Sequence, residues 1–422
     1  MDVALAFLIA AAVNIGVLFF LQGRYEAQTY RTVAVVYLGT VGLRYALAVF
    51  LWLNHANSGF ATLFWGDSGT YDALGAAVAE VWSGEGGSTS WVETLEGQVN
   101  RGFIYFVGAI YYLFGRNTLL VQLLNGVIGS ITAVVIFDLG IRLYDLQTAR
   151  RAMLFTAFFP QMIFWSAALY KDAAVMLCIA LSIWALVGLK NQFRFSALLV
   201  YLLATASLIW LRFYIFFAIA GATIAGFFVS SRRSLAFRLL SQMAVVTAMI
   251  VLLLLTPAGK EMMLQSRFLD LQALQSSRSD LAARAETGFA RDADVSTASG
   301  LLRVLPLGVT YLLFAPFPWM VSSFRQLLSL PDILVWYALM PALVRGLKSA
   351  VKERLGQTLP ILVFTVALTV AYGVFLGNAG TAYRQRTQIM MFYFLFIADG
   401  LKKKGATDEA DSLEPRTALP QM

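Results

Sequence analysis

Eleven apolar runs, most of them long enough to cross a lipid bilayer, recur along this chain: 2–21, 32–54, 117–143, 150–169, 173–190, 195–211, 213–230, 237–256, 330–348, 358–376 and 387–401. A spanning helix needs about 20 predominantly apolar residues. In hydrocarbon every backbone N–H and C=O must also be satisfied within the segment or a closed barrel, so runs of this length read as helices. Charge agrees: 13% of the residues are charged, against about 25% in soluble domains, so much of the surface must face lipid. The expected fold is all-α, a polytopic transmembrane helix bundle of about 11 spans. Alternatives of 12–13 arise because the stretch 103–114 is short and 302–322 is broken by Pro306, Pro316 and Pro318. The start, Val3 to Leu21, lacks a basic leader and a small-residue cleavage site, and reads as a retained span rather than a signal peptide.

The formal charge of +8 reads as topology rather than as nucleic-acid binding, since no basic stripe with interleaved aromatics stands outside the apolar runs. If the N-terminus lies outside, the basic turns fall on one side: Arg24 and Arg31; Arg142, Arg150 and Arg151; Lys190 and Arg194; Arg232, Arg233 and Arg238; Arg345, Lys348, Lys352 and Arg354; and Lys402 to Lys404. This requires that 103–114 and 302–322 lie along the outer face as juxtamembrane helices. The arrangement is that of a cytoplasmic (inner) membrane protein, N-terminus out and C-terminus in, with residues 1–404 as one membrane domain. Its external loops are 55–116 and 257–329, and 405–422 form a disordered cytoplasmic tail. The Gly/Ser stretch Ser83 to Ser90 reads as a flexible loop tip.

A single Cys, Cys178, and a single His, His55, exclude an intrachain disulfide and a His/Cys metal cluster. Chemistry must come from acids and arginines at the outer membrane edge, where ionisable residues are functional candidates by default. Asp67 follows the exit of the second run, between Gly66 and Gly69, and reads either as a catalytic carboxylate or, with Ser68, as the N-cap of the helix that follows. Asp172 stands at a turn on the same side, next to Lys171, as a second carboxylate or as one half of an interfacial ion pair. Tyr383-Arg384-Gln385-Arg386 is basic where topology needs no positive charge. Arg212 is similar, and the planar Arg fork suits phosphate oxygens. Arg44, inside the second run, either pairs within the bundle or snorkels.

These residues carry a resemblance. Gly66-Asp67-Ser68-Gly69-Thr70-Tyr71, then Arg101-Gly102-Phe103-Ile104-Tyr105, Leu113-Phe114-Gly115-Arg116-Asn117 and Phe159-Pro160 through Lys171-Asp172 resemble, in order and spacing, the GT-C class of polyprenyl-phosphate-sugar-dependent membrane glycosyltransferases. Protein mannosyltransferases and aminoarabinose transferases are examples. The resemblance is best over 60–190, with Tyr383 to Arg386 similar to the basic approach to a last span. It departs from the family at Asp67-Ser68, at Asn100-Arg101 where a Pro-Pro pair is common, and in an added first span. What it implies is sugar transfer from a polyprenyl-phosphate donor to a saccharide, lipid or protein acceptor on the external (periplasmic) face, in cell-envelope polysaccharide or glycoconjugate assembly. Asp67 and Asp172 would be catalytic. Arg384, Arg386, Lys171 and Arg212 would bind the donor phosphate, and Tyr71, Arg101, Tyr383 and Trp319 would contact substrate. The resemblance fixes no cofactor: the family includes metal-independent members, and the two acids would allow a divalent metal. Membrane lipids are partners and nucleic acid is not. The alternative readings are a polysaccharide polymerase or ligase using a lipid-diphosphate oligosaccharide, a membrane transporter, and a non-catalytic assembly scaffold.

Overall fold

A computed structural model describes residues 3–54, 66–84, 100–228, 235–266, 270–285, 287–321 and 324–402. His55, the tip beyond residue 84 and the tail 405–422 lie outside the described residues. Among the described residues the chain forms sixteen α-helices and no strands. They are α1 (Val3–Arg24), α2 (Ala27–Leu53), α3 (Gly66–Ser83), α4 (Gly102–Phe114), α5 (Thr118–Leu143), α6 (Leu146–Phe158), α7 (Pro160–Ala167), α8 (Asp172–Asn191), α9 (Phe195–Phe228), α10 (Leu235–Leu255), α11 (Pro257–Ser266), α12 (Leu271–Arg284), α13 (Ala298–Phe314), α14 (Phe324–Glu353), α15 (Leu355–Phe375) and α16 (Ala379–Gly400). The protein is a polytopic helical membrane protein.

Seven helices are each long and apolar enough to cross a membrane, or eight if the bent pair α10–α11 is one broken span. α9 must be counted differently. Arg212 within it is non-helical, with φ −159° and ψ 81°, and the Tyr201 hydroxyl lies 2.7 Å from Thr223 Oγ1. In a straight helix those positions would stand about 33 Å apart, at about 1.5 Å per residue. The chain therefore reverses at Arg212 into two antiparallel arms, matching the two runs 195–211 and 213–230.

The run 150–169 is not one straight span, because Pro160 divides it into α6 and α7. Proline has no N–H to continue the ladder. The freed Ala157 carbonyl is answered from α2, by Thr40 Oγ1 at 2.8 Å and Arg44 at 2.9 Å. Arg44 also donates from Nε to Ser166 Oγ of α7 at 2.6 Å. Of the two readings of Arg44, the structure selects pairing inside the bundle: one buried guanidinium fastens both sides of a broken helix. Gly129 of α5 makes room for it, since a Cβ there would stand 2.4 Å from that of Ser166.

α16 occupies the centre. Arg386 to Gly400 are all buried, with Phe394 stacked on Phe155 and Phe392 edge-on to Phe364. α14 packs close to it through small residues, because a Cβ on Gly346 would lie 1.8 Å from the Phe396 carbonyl and one on Gly400 2.0 Å from that of Ala342. Lipid tails are as apolar as these side chains, so close packing rather than water release drives such contacts.

The two ends of the bundle differ. Asp172 opens α8 at one end; Lys190 closes it at the other, donating to the Gly356 carbonyl. The Lys190 end gathers Arg24 with Asp138, Arg354 against the Leu143 carbonyl, and Lys402 with Asp145 and Asp399. The two ambiguous stretches stay at the Asp172 end. α4 begins against Trp210, beside the Arg212 reversal, and ends two residues short of the Asn117 cap of α5. α13 packs Val304 with Val374 and Phe375 near the end of α15, and its Leu313 carbonyl receives Arg386.

Candidate functional site

Four ionisable residues from four separate elements meet at the Asp172 end. Asp172, in the first turn of α8, has no exposed surface. Its Oδ1 accepts from Arg212 at 3.1 Å and its Oδ2 from Arg384 Nε at 2.6 Å. The reversal of α9 delivers Arg212 there, and the first turns of α16 deliver Arg384. Arg384 also reaches outward, donating from NH1 to Asp67 Oδ2 at 2.8 Å. Its guanidinium carbon sits 4.2 Å from the ring centroid of Tyr170 and 5.2 Å from that of Trp165. These aromatic faces hold the cation flat. Asp67 differs in kind from Asp172, since its side chain is 62% exposed. It lies inside the first turn of α3, which starts at Gly66, so neither Asp67 nor Ser68 precedes the helix as its cap. A carboxylate there complements the helix dipole and remains free to face outward.

Beside this cluster opens a cavity of about 950 Å³. Asp67, Arg384, Trp165 and Tyr170 form one polar stretch of its wall; Asp332, Tyr383 and Gln161 form another. Its flank is apolar, with Leu43, Leu47 and Phe50 of α2 on one side and Leu328 of α14 on the other. Leu43, Phe50 and Leu328 are exposed, on helices that cross the membrane, so the cavity opens sideways toward lipid. Thr287 and Asn378 border it where the segment after α12 clips onto the start of α16, through Thr287 Oγ1 to Asn378 Oδ1 at 2.6 Å.

Among the other residues singled out by the sequence, Tyr383 lines the cavity and donates its hydroxyl to Asp332 Oδ2 at 2.8 Å. Tyr71 packs edge-on to Phe103, near the acids and Arg384, and burial pushes its phenol up to about 12. Lys171 adjoins Asp172 but does not line the cavity. Four further residues named from the sequence do not line the cavity. Arg386 has no exposed surface, gives NH1 to the Leu313 and Ala315 carbonyls and NH2 to Gln161 Oε1, and keeps Nε without a partner; it secures the end of α13 and does not line the cavity. Arg101 pairs with Glu261 at 2.7 Å, away from the cavity. Trp319, 78% exposed and stacked on Phe317, also lies outside it. Asp172 is buried behind Arg384 and does not line the cavity. Gln161 and Asp332 were missed, though Asp332 is an acid inside an apolar run, a signal in its own right.

Burial, and then the charge of Arg212, lower the Lys171 ammonium to about 7. An unfolded chain holds that proton up to about 10.4. Between those values the unfolded state binds more protons, so the Lys171 contribution makes stability rise with pH from about 7 upward, and the full penalty is present below 7. Thermal melts in detergent at pH 6 and pH 9 test this. Wild type is expected to gain stability over that range relative to Lys171→Met, and parallel pH profiles would refute the assignment.

Among the described residues no group of three or more His, Cys, Asp or Glu could hold a metal ion, and the cation between Asp67 and Asp172 is the Arg384 guanidinium.

A family model described as dolichyl-phosphate-mannose-protein mannosyltransferase matches residues 102–258. The matched stretch runs from α4 into α11, taking in Asp172 and Arg212 but neither Asp67 nor Arg384. The match supports the resemblance drawn from the sequence and indicates a membrane glycosyltransferase of the GT-C type. A search of curated proteins finds no match to the chain.

Proposed function

We propose that the chain transfers a sugar from a polyprenyl-phosphate carrier to an acceptor hydroxyl at the Asp67 end of the bundle. One observation carries the reading: the cavity with an apolar, lipid-side flank has Arg384 and Asp67 together in its wall. A polyprenyl tail can remain among Leu43, Leu47, Phe50 and Leu328 while its phosphate meets Arg384. Asp67, the exposed acid, accepts the proton of the acceptor hydroxyl as that oxygen attacks the anomeric carbon. The bond from the anomeric carbon to the phosphate oxygen breaks, and its electron pair leaves on the lipid phosphate. Arg384 faces the charge that develops there, a role electrostatic preorganisation serves well. Asp172 and the rings of Tyr170 and Trp165 fix the guanidinium in advance, so little reorganisation accompanies the reaction.

The basic clusters at the opposite end support taking the Asp67 end as the outer one by the positive-inside rule. Transfer on that face suits assembly of envelope polysaccharide or glycoconjugates on a saccharide, lipid or protein acceptor. The test is reconstitution in proteoliposomes with radiolabelled sugar on undecaprenyl phosphate or on undecaprenyl diphosphate. Label transferred from the monophosphate carrier supports the reading. Transfer from the diphosphate carrier alone supports a polymerase or ligase, and flux without covalent product supports a transporter.

A further inference from the structure

The second polar stretch of the cavity wall carries a feature that the transfer chemistry does not use. Asp332 sits within α14, on a helix that crosses the membrane, and is 2% exposed. Its Oδ2 accepts from the Tyr383 hydroxyl, while its Oδ1 accepts no hydrogen bond. The backbone N–H of Gln161, freed at the first turn of α7 by the Pro160 break, also faces the carboxylate. No ion pair forms at Asp332 among the described residues. The guanidinium of Arg386, whose charge reaches Asp332, gives NH1 to two carbonyls and NH2 to Gln161 Oε1 and keeps its buried Nε without a partner.

An asparagine could hold Tyr383 and face Gln161 without burying a charge. A carboxylate adds acceptor capacity at both oxygens and no donor, and its hydrogen bonds to hydroxyls are about twice as strong as neutral ones. The chemistry that answers such a group is a cluster of hydroxyls. The cavity also has a definite charge pattern: among its described lining residues only Arg384 is cationic, whereas Asp67 and Asp332 are acidic.

The geometry points to Asp332 as the specificity-determining residue of a sugar-binding subsite, taking the ring hydroxyls of an uncharged sugar whose carrier phosphate lies at Arg384. This rests on the donor reading above. A sugar bearing its own carboxylate would meet the Asp332 carboxylate with no cation but Arg384 among the described lining residues, and is disfavoured.

Binding to the full chain in nanodiscs, read by quenching of tryptophan fluorescence, tests this without an acceptor. The probes are undecaprenyl phosphate and the same lipid bearing glucose, galactose, mannose or glucuronate. Wild type is expected to bind at least one neutral-sugar lipid about tenfold more tightly than the bare lipid, the scale of one charge-assisted hydrogen bond. The glucuronate lipid should show no such gain. Asp332→Asn should lose the gain yet keep its affinity for bare undecaprenyl phosphate. A variant that keeps the whole gain overturns the subsite. So does one that loses both lipids in step with a fall in melting temperature, which would make Asp332 only a fastener of α7 and Tyr383. Wild type that binds the bare lipid without any sugar gain also overturns the subsite, but leaves the donor reading standing. Failure to bind any of the lipids removes both.

Discussion

Asp67→Asn is expected to lower the turnover of sugar transfer by about a hundredfold to ten-thousandfold, the usual range for a lost general base, while the KM for the lipid donor stays near wild type. The amide has the size of the carboxylate, and its carbonyl oxygen can still accept from Arg384 NH1, the 2.8 Å contact that joins α3 to α16. What it cannot do is take a proton. The Asp67 side chain is 62% exposed, so folding should not suffer, and an exposed ion pair contributes little to stability in any case. Arg384 keeps its bonds to Asp172, so the proposed phosphate contact survives. The measurement is kcat and KM in proteoliposomes, with thermal melts to confirm folding. Turnover within about fivefold of wild type would mean that another group accepts the proton, and Asp67 would leave the mechanism.

The sequence made the bundle legible because its signal is local. A run of about 20 apolar residues between basic turns needs no tertiary information, and the runs at 195–211 and 213–230 even marked the reversal at Arg212. It read 146–167 less well, because the apolar pattern continues straight through Pro160 while the backbone breaks there, held by Thr40 and Arg44 from another helix. Asp67, Asp172, Arg212 and Arg384 could be named because each is an ionisable residue expected at one membrane edge, and the fold joins them by direct contacts. Arg384 and Arg386 were taken together, yet two residues along a helix differ by about 200° in direction, and of the two Arg384 alone lines the cavity. Arg384 meets the acids and Arg386 the carbonyls at the end of α13. The partner of Arg101, Glu261, lies in a helix far along the chain, and no spacing rule links them.

Asp172→Ala is expected to damage both stability and transfer, and a second substitution should separate the two effects. Asp172 is wholly buried and holds two guanidiniums, each with little exposure of its own. Removing one partner of a buried ion pair costs about 3–5 kcal/mol, because the charge left behind is neither solvated nor paired. Here Arg212 would lose its carboxylate and keep only the Tyr214 and Tyr372 hydroxyls, at 3.4 and 3.5 Å. Arg384 would retain Asp67, which is solvent-facing and cannot fix it from behind. The single variant should therefore melt well below wild type and transfer sugar slowly. Adding Arg212→Met to Asp172→Ala removes the stranded charge and fills its place with an apolar chain. Neighbouring substitutions of this kind are non-additive, so much of the stability should return. Transfer should not, because Arg384 still lacks the group that aims it, and the donor KM should stay raised. If the double variant recovers activity in proportion to its melting temperature, Asp172 only stabilises the fold. If Asp172→Ala melts like wild type, the buried three-residue network does not exist as described. Recovery of stability with transfer still lost is the outcome expected of a carboxylate that works by holding Arg384 against the cavity.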